Sequence, residues 1–319
     1  MLARADGPGA PSTALARSAP ADVQASLGNP SEALRLYRRA YADLSTVRGA
    51  GDADVLAART GEVGALQDLG RFGEALPLAR RLVSARRGGD PWLLARALNG
   101  LGGVLQQARC NDEATGPLRE SLAIRRRLYG PDHARTTKAV VTLGAALAQA
   151  GRLGEAEPLF REALAADIRV FGPEHPYVAS DLSNLGQLLN DRGHLRRARP
   201  VLDSAVVLRR RLLPPDHPDL GGTLLQLARA LNGLDRPADA EVPAREALRI
   251  AAALPAQDDP VAARAAFELG RSLAGQGRRD EAEALLARAT AALDAPAARP
   301  FVTPAERAAA RTALATLRG

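Results

Sequence analysis

The sequence predicts an all-α solenoid built from antiparallel helix pairs stacked in a row. Three observations carry that prediction. Apolar and small residues recur at a step of 42 residues: Leu101-Gly102, Leu143-Gly144, Leu185-Gly186, Leu227-Ala228 and Leu269-Gly270. Within one step the apolar positions fall at helical spacing, as at Val178, Leu182, Leu185 and Leu189. Turn residues keep the same step, with GPDH at 130–133, GPEH at 172–175 and PPDH at 214–217. A lone helix pair leaves apolar surface uncovered, so neighbouring pairs must stack.

Residues 1–20 are rich in Ala, Gly and Pro and lack apolar periodicity, so they are expected to be disordered. The solenoid is expected over 21–294. The stretch PSEALRLYRRAYADL fits a second (B) helix, with Ala33 lying 42 residues before Ala75. Pro20 interrupts its only candidate first (A) helix, which leaves a partial pair over 21–48. Six complete pairs follow over 53–294. Their A helices start near 53, 91, 134, 176, 218 and 260. The B helices run roughly over 72–87, 111–127, 153–170, 195–212, 237–253 and 279–294. Gly193 stops one A helix by taking the left-handed conformation cheaply, and Pro218 opens the next at a first-turn position. Gly186, Ala198 and Ala205 leave room for close approach of the two axes. The step from Ala75 to Ala114 is 39, which implies a shortened loop near Gly88-Gly89, and Glu62 stands where a leucine belongs. Thr303-Pro304-Ala305-Glu306 is a capping box that opens a C-terminal capping helix over 303–318.

Composition narrows the function classes. The chain has 319 residues, 46% hydrophobic and 25% charged, enough apolar material to fold. No apolar run approaches the roughly 20 residues of a spanning helix, so no membrane association is expected. The first residues hold no apolar core of roughly 7–15 residues, and one cysteine forms no internal disulfide, so the expected address is cytoplasmic. Of the 43 basic residues all but Lys138 are arginine, a skew that looks like coding bias and weakens the inference from net charge +7 to nucleic acid. The clusters Arg125-Arg126-Arg127 and Arg209-Arg210-Arg211 fall at helix ends, where a solvated face complementing the helix dipole is expected.

Leu143-Gly144, Leu147, Ala156 and Phe160 fit the pattern L-G-x2-[LY]…A-x3-F of tetratricopeptide repeats. The longer 42-residue form with its PDHP-type junction resembles the repeats of kinesin light chains and their bacterial relatives, over about residues 21–294. The resemblance implies a right-handed superhelix whose A helices line a concave groove, and a protein-binding scaffold. Motor-cargo function does not carry over, because no heptad coiled coil precedes the repeats. The carboxylate clamp of chaperone-tail receptors is not reproduced either: Val141 and Ala145 precede Asn184, and Gly222 and Gln226 follow it.

Groove-facing positions lie opposite the apolar stripe of each A helix. They are Arg96, Asn99, Gln106 and Gln107; Lys138, Thr142 and Gln149; Ser180, Ser183, Asn184, Gln187, Asn190 and Asp191; Gln226, Arg229 and Asn232; and Arg264, Glu268 and Arg271. Amides and hydroxyls there can hydrogen-bond the backbone of an extended peptide, and the cations can pair with carboxylates. A peptide-binding groove for an extended, acidic segment is therefore expected.

Catalytic and metal chemistry finds little footing. His133, His175 and His217 recur one repeat apart, too far for shared coordination, and read as helix-start residues. Cys110 has no histidine beside it in the sequence, and no phosphate-binding loop or zinc motif occurs. No enzyme activity, cofactor or metal is expected. Nucleic acid is disfavoured because five Phe, four Tyr and one Trp give few stacking platforms, and Trp92 is expected to pack on a neighbouring repeat. The expected function is a non-catalytic protein-interaction scaffold. The alternative is the C-terminal sensory or scaffolding region of a larger bacterial signalling protein, a kinase or ATPase-type regulator.

Overall fold

The computed structural model describes residues 11–49, 51–253, 260–298 and 302–319. The described residues form fifteen α-helices, and they fall into two compact units, Met1–Arg152 and Leu153–Gly319. The first unit holds α1 (Pro11–Ser26), α2 (Pro30–Arg48), α3 (Ala53–Asp68), α4 (Phe72–Arg86), α5 (Pro91–Gln107), α6 (Asn111–Tyr129) and α7 (Ala134–Gln149). The second holds α8 (Leu153–Phe171), α9 (Pro176–Asp191), α10 (Leu195–Leu212), α11 (Pro218–Gly233), α12 (Pro237–Ala252), α13 (Pro260–Gly275), α14 (Arg279–Asp294) and α15 (Pro304–Arg318). Both are all-α stacks in which each helix packs on the next and A helices touch the following A helix.

Local chemistry starts and stops these helices. Five A helices have a side-chain cap: Asp52, Asp90, His133, His175 and His217 each accept from the backbone N–H two residues on, at 2.7–3.2 Å. Each such cap stabilises its helix by about 1 kcal/mol. The recurring histidines thus act through Nδ1 as helix caps. The left-handed residue after each A helix recurs in register, at Gly28, Gly70, Arg109, Gly151, Gly193, Asp235 and Gly277. Two of these seven positions hold a side chain in a conformation that favours glycine.

Close packing follows the small residues. A Cβ on Gly186 of α9 would fall 2.5 Å from Leu202 of α10, and one on Gly102 of α5 would meet Leu118 of α6 equally closely. Ala198, Leu202 and Ala205 are completely buried. The missing Cβ lets the leucine lie against the facing backbone, and burying such a side chain is worth about 2–3 kcal/mol. In the second unit α15 closes the last apolar face: Ala310 joins Ala263, Leu293, Ala298 and Val302 in one core cluster. The capping box is complete, with Thr303 N donating to Glu306 and Glu306 N donating back to Thr303 Oγ1. Arg311 holds Asp294 through two bonds of 2.8 Å.

Three readings of the sequence, the disorder of residues 11–20, the break at Pro20 and the solvated arginine triplets, are corrected, and the place of Glu62 is explained. Residues 11–20 belong to α1, which runs through Pro20 and buries Ala21; residues 1–10 lie outside the described residues. Proline costs a helix one hydrogen bond, and docking on α2, where Tyr37 donates to Asp22, compensates for that loss. Glu62 is buried in place of leucine because Arg38 and Arg59 hold its carboxylate at 2.9 and 2.6 Å. In both arginine triplets the first member is not solvated: Arg125 and Arg209 are each only 7% exposed. Arg125 donates to the carbonyl of Arg135 at 3.0 Å, and Arg209 donates to the carbonyl of Asp219. A buried guanidinium is tolerated there because the first turn of the following A helix supplies an acceptor.

Candidate functional site

The polar faces of the A helices are the candidate surface, and their side chains divide into those already engaged and those that are not. In the second unit Asn190 is buried, not groove-exposed. Its Nδ2 donates to Gln226 O at 2.8 Å and to Gln226 Oε1 at 3.3 Å. One repeat on, Asn232 makes the same link to Glu268, with both bonds at 2.8 Å. Ser183 and Thr223 complete the bridge between α9 and α11 at 3.1 Å. These residues join successive A helices into one continuous face, a structural task that removes Asn190 and Asn232 from ligand contact. Glu268 is likewise buried.

The cations of this face are also engaged. Arg229 pairs with Asp191 at 2.7 Å, Arg264 with Glu306 at 2.7 Å and Arg271 with Glu268 at 3.1 Å. Ser180 Oγ bonds its own helix at Pro176 O. What stays open on α9 is Asn184, half-buried, and Gln187, exposed, neither with a side-chain hydrogen bond among the described residues. An acidic ligand would have to compete with Asp191, Glu268 and Glu306 for the arginines.

In the first unit the same logic builds an amide ladder. Gln67 of α3 donates to Gln107 of α5 at 3.1 Å, and Gln106 donates to Gln149 of α7 at 3.4 Å. The sequence reading passed over Gln67, although it lies 39 residues before Gln106, the shortened step already evident from Ala75 to Ala114. Thr142 Oγ1 bonds Lys138 O within α7, and Lys138 and Asn99 have no side-chain partner. Arg96 is exposed, its guanidinium 6.0 Å from the Trp92 ring centre. Trp92 packs edge-on against Tyr129 of its own helix pair, with centroids 5.9 Å apart, and beneath Arg135 at the start of the next A helix.

Elsewhere in the second unit, the buried Glu157 and the half-buried Glu241 gather arginines. Glu157 receives Arg161, Arg192 and Arg197, whose charges hold its carboxyl below the ordinary range despite burial. Glu241, bonded by Gln276, Arg245 and Arg278, is pulled down to about 2. These are inter-repeat clamps. Among the described residues no three His, Cys, Asp or Glu side chains could share a metal ion, and no helix is long and apolar enough to cross a membrane.

Stacked antiparallel pairs with bridged A helices define a helical-repeat scaffold. Residues 93–167 and 137–210 match one tetratricopeptide repeat model, and residues 263–288 match another. Those stretches carry tetratricopeptide repeats. Its structural neighbours include kinesin light chain-like repeat proteins. BtubC (BKLC) from P. vanneervenii is 23% identical, with TM-score 0.57, covering 73% of this chain and 91% of that one. Kinesin light chain nearly identical TPR-like repeats from Podosopora anserina are 24% identical, with TM-score 0.55, over 64% of this chain and 95% of that one. The signal transduction ATPase with numerous domains (STAND) from Pyrococcus horikoshii, which has a tetratricopeptide repeat sensor, reaches TM-score 0.71 at 13% identity. That match covers 96% of this chain and 44% of the other. These likenesses concern the fold. No curated protein matches the chain.

Proposed function

We propose that this chain is a non-catalytic scaffold that holds an extended segment of another protein on the A-helix face of its second unit, over α9 and α11. The carrying observation is the contrast on that face. Asn190, Asn232, Ser183 and Thr223 are spent on joining the helices, while Asn184 and Gln187 present amides with no partner of their own. A primary amide offers two donors and an acceptor, the complement of an extended backbone. Tetratricopeptide scaffolds are generally non-catalytic, in keeping with this reading. Because Arg229 and Arg271 already hold carboxylates, backbone recognition leads and acidity of the segment is secondary.

Panning a random peptide library on the full chain tests the proposal. Affinity of an enriched peptide should fall at least tenfold in Asn184→Ala/Gln187→Ala and less than threefold in Arg229→Gln/Arg271→Gln. Equal binding to the amide variant would move the surface elsewhere, and a large loss in the arginine variant would restore an acidic ligand. A second reading makes the chain the sensor part of a longer signalling protein. It is favoured by the likeness to the Pyrococcus horikoshii protein, of which the matched region makes up 44%.

A further inference from the structure

Three arginines of the first unit gather around one indole ring, and a fourth, Arg86, acts on one of them. The guanidinium centres of Arg135, Arg125 and Arg96 lie 4.5, 5.3 and 6.0 Å from the centre of the Trp92 ring. Arg86, at the end of α4 and half-buried, faces Arg96, whose charge adds to burial in holding the Arg86 guanidinium below its ordinary value. Asp90 is the one acid acting on Arg86. Burial pulls Arg125 down as well; Tyr129 opposes this, and Arg135 and Arg96 add to it. Like charges have been placed together in a half-buried setting, which costs free energy unless something compensates them.

Within the described residues Asp90 alone offsets any of this charge, and only at Arg86. None of the four forms an ion pair, whereas Arg35, Arg38, Arg59, Arg71, Arg80 and Arg87 of the same unit each hold a glutamate within 2.9 Å. Arg125, 7% exposed, also keeps a buried Nε–H without an acceptor. The corresponding arginine of the second unit, Arg209, has Asp219 beside it, where the first unit has Arg135. The α6–α7 junction therefore keeps positive charge that no carboxylate of the described residues pairs with.

We propose that the exposed Arg96 and Arg135, backed by the buried Arg125 and with Arg86 adding positive charge, form a binding site for a phosphoryl group beside Trp92 and Tyr129. The compactness of the cluster selects the ligand chemistry. Three guanidinium groups share one ring as their neighbour, so a single dense dianion with three acceptor oxygens meets them better than one carboxylate, or a string of carboxylates spaced along a chain. Planar guanidinium forks fit phosphoryl oxygens in pairs, and the half-exposed faces of Trp92 and Tyr129 offer an apolar wall. The group is carried either by a protein side chain or by a small molecule. This site is separate from the amide face of the second unit and stands or falls without it.

Trp92 is the chain's single tryptophan, so its emission reports on this site alone. The full chain is titrated with sodium pyrophosphate, inorganic phosphate and acetate at matched ionic strength, and equilibrium dialysis with radiolabelled pyrophosphate gives a second readout. Saturable binding of pyrophosphate and phosphate is expected at concentrations at least tenfold lower than for acetate. The exposed pair Arg96→Gln/Arg135→Gln should raise both midpoints at least tenfold without lowering the thermal midpoint of the free chain. A phosphoserine peptide and its unphosphorylated twin separate the sources. Tighter binding of the phosphopeptide than of free phosphate assigns the group to a protein, and the reverse assigns it to a small molecule. Equal binding of acetate or of the unphosphorylated peptide overturns the proposal, as does an unchanged midpoint in the double variant or no retention of pyrophosphate in dialysis.

Discussion

The α6–α7 junction of the first unit and the α10–α11 junction of the second use the same repeat position for the same residue, a buried arginine. Arg209 caps the first turn of α11 at Asp219 O and has the Asp219 carboxylate 3.8 Å away. Arg125 caps the first turn of α7 at Arg135 O and has a second arginine there instead. The repeat between them places an acid at this position: Asp167, buried, lies beside Asp181 of α9, also buried. Three versions of one site therefore differ in the buried residue, arginine or aspartate, and in what the neighbouring element offers it. A buried arginine is tolerated where the next helix start provides a carbonyl, and the residual charge imbalance is where ligand or pH sensitivity can enter.

The acid version should give the largest effect. Burial, then the charge and hydrogen bond of Asp167, push the Asp181 carboxyl up to about 7. A carboxyl that ionises later in the folded chain than in the unfolded chain contributes stability that is complete below about pH 4 and is lost as pH rises through 7. Chemical denaturation should therefore show stability falling by a few kcal/mol between pH 4 and 8. Asp181→Asn should flatten that slope and raise stability at pH 8; a slope that persists in the variant would mean another group titrates.

The arginine versions should separate next. Arg209→Met leaves the Asp219 carbonyl without its charged donor and should cost about 2–3 kcal/mol. Arg125→Met also loses a carbonyl contact but relieves repulsion from Arg135 and Arg96, so its cost should be about 1 kcal/mol or less. Urea titrations of the two variants compare them directly, and equal losses would mean that charge compensation does not distinguish the junctions.

Packing offers a comparison of similar size. Gly186→Val in the second unit and Gly102→Val in the first force a side chain onto Leu202 and Leu118 respectively, and each should cost about 1–3 kcal/mol, seen as a lower thermal midpoint. The smallest effect concerns the two left-handed exceptions. Arg109→Gly and Asp235→Gly should each stabilise by roughly 0.5–1 kcal/mol, the arginine site by more, because aspartate tolerates this conformation better. A loss of stability at either would show that its side chain contributes more than its backbone strain.

The helix starts at Ala53, Pro91, Ala134, Pro176, Pro218 and Pro260 were legible because periodicity, caps and stops are properties of a few consecutive residues. Gly186 was legible as a contact for the same reason, since its repeat position alone implies a close approach. Pro20 misled the reading because a local penalty was weighed without the packing on α2 that offsets it. The candidate site was legible only in outline. The step of three and four put Asn184, Gln187, Asn190 and Arg229 on one face, and nothing in that step tells an open amide from a bridging one. Asn190 acts on a residue 36 positions away and Arg229 on one 38 positions away.

By itself the sequence determined the repeat, the helix pairs, their caps and their close contacts, because each rests on short-range geometry that neighbouring residues impose. Only the tertiary structure decided which polar groups are consumed between repeats, which arginines are buried and which charges lack a counterpart. Those are sums over side chains brought together from separate repeats, and hydrogen bonding and electrostatics depend on that meeting and not on order along the chain.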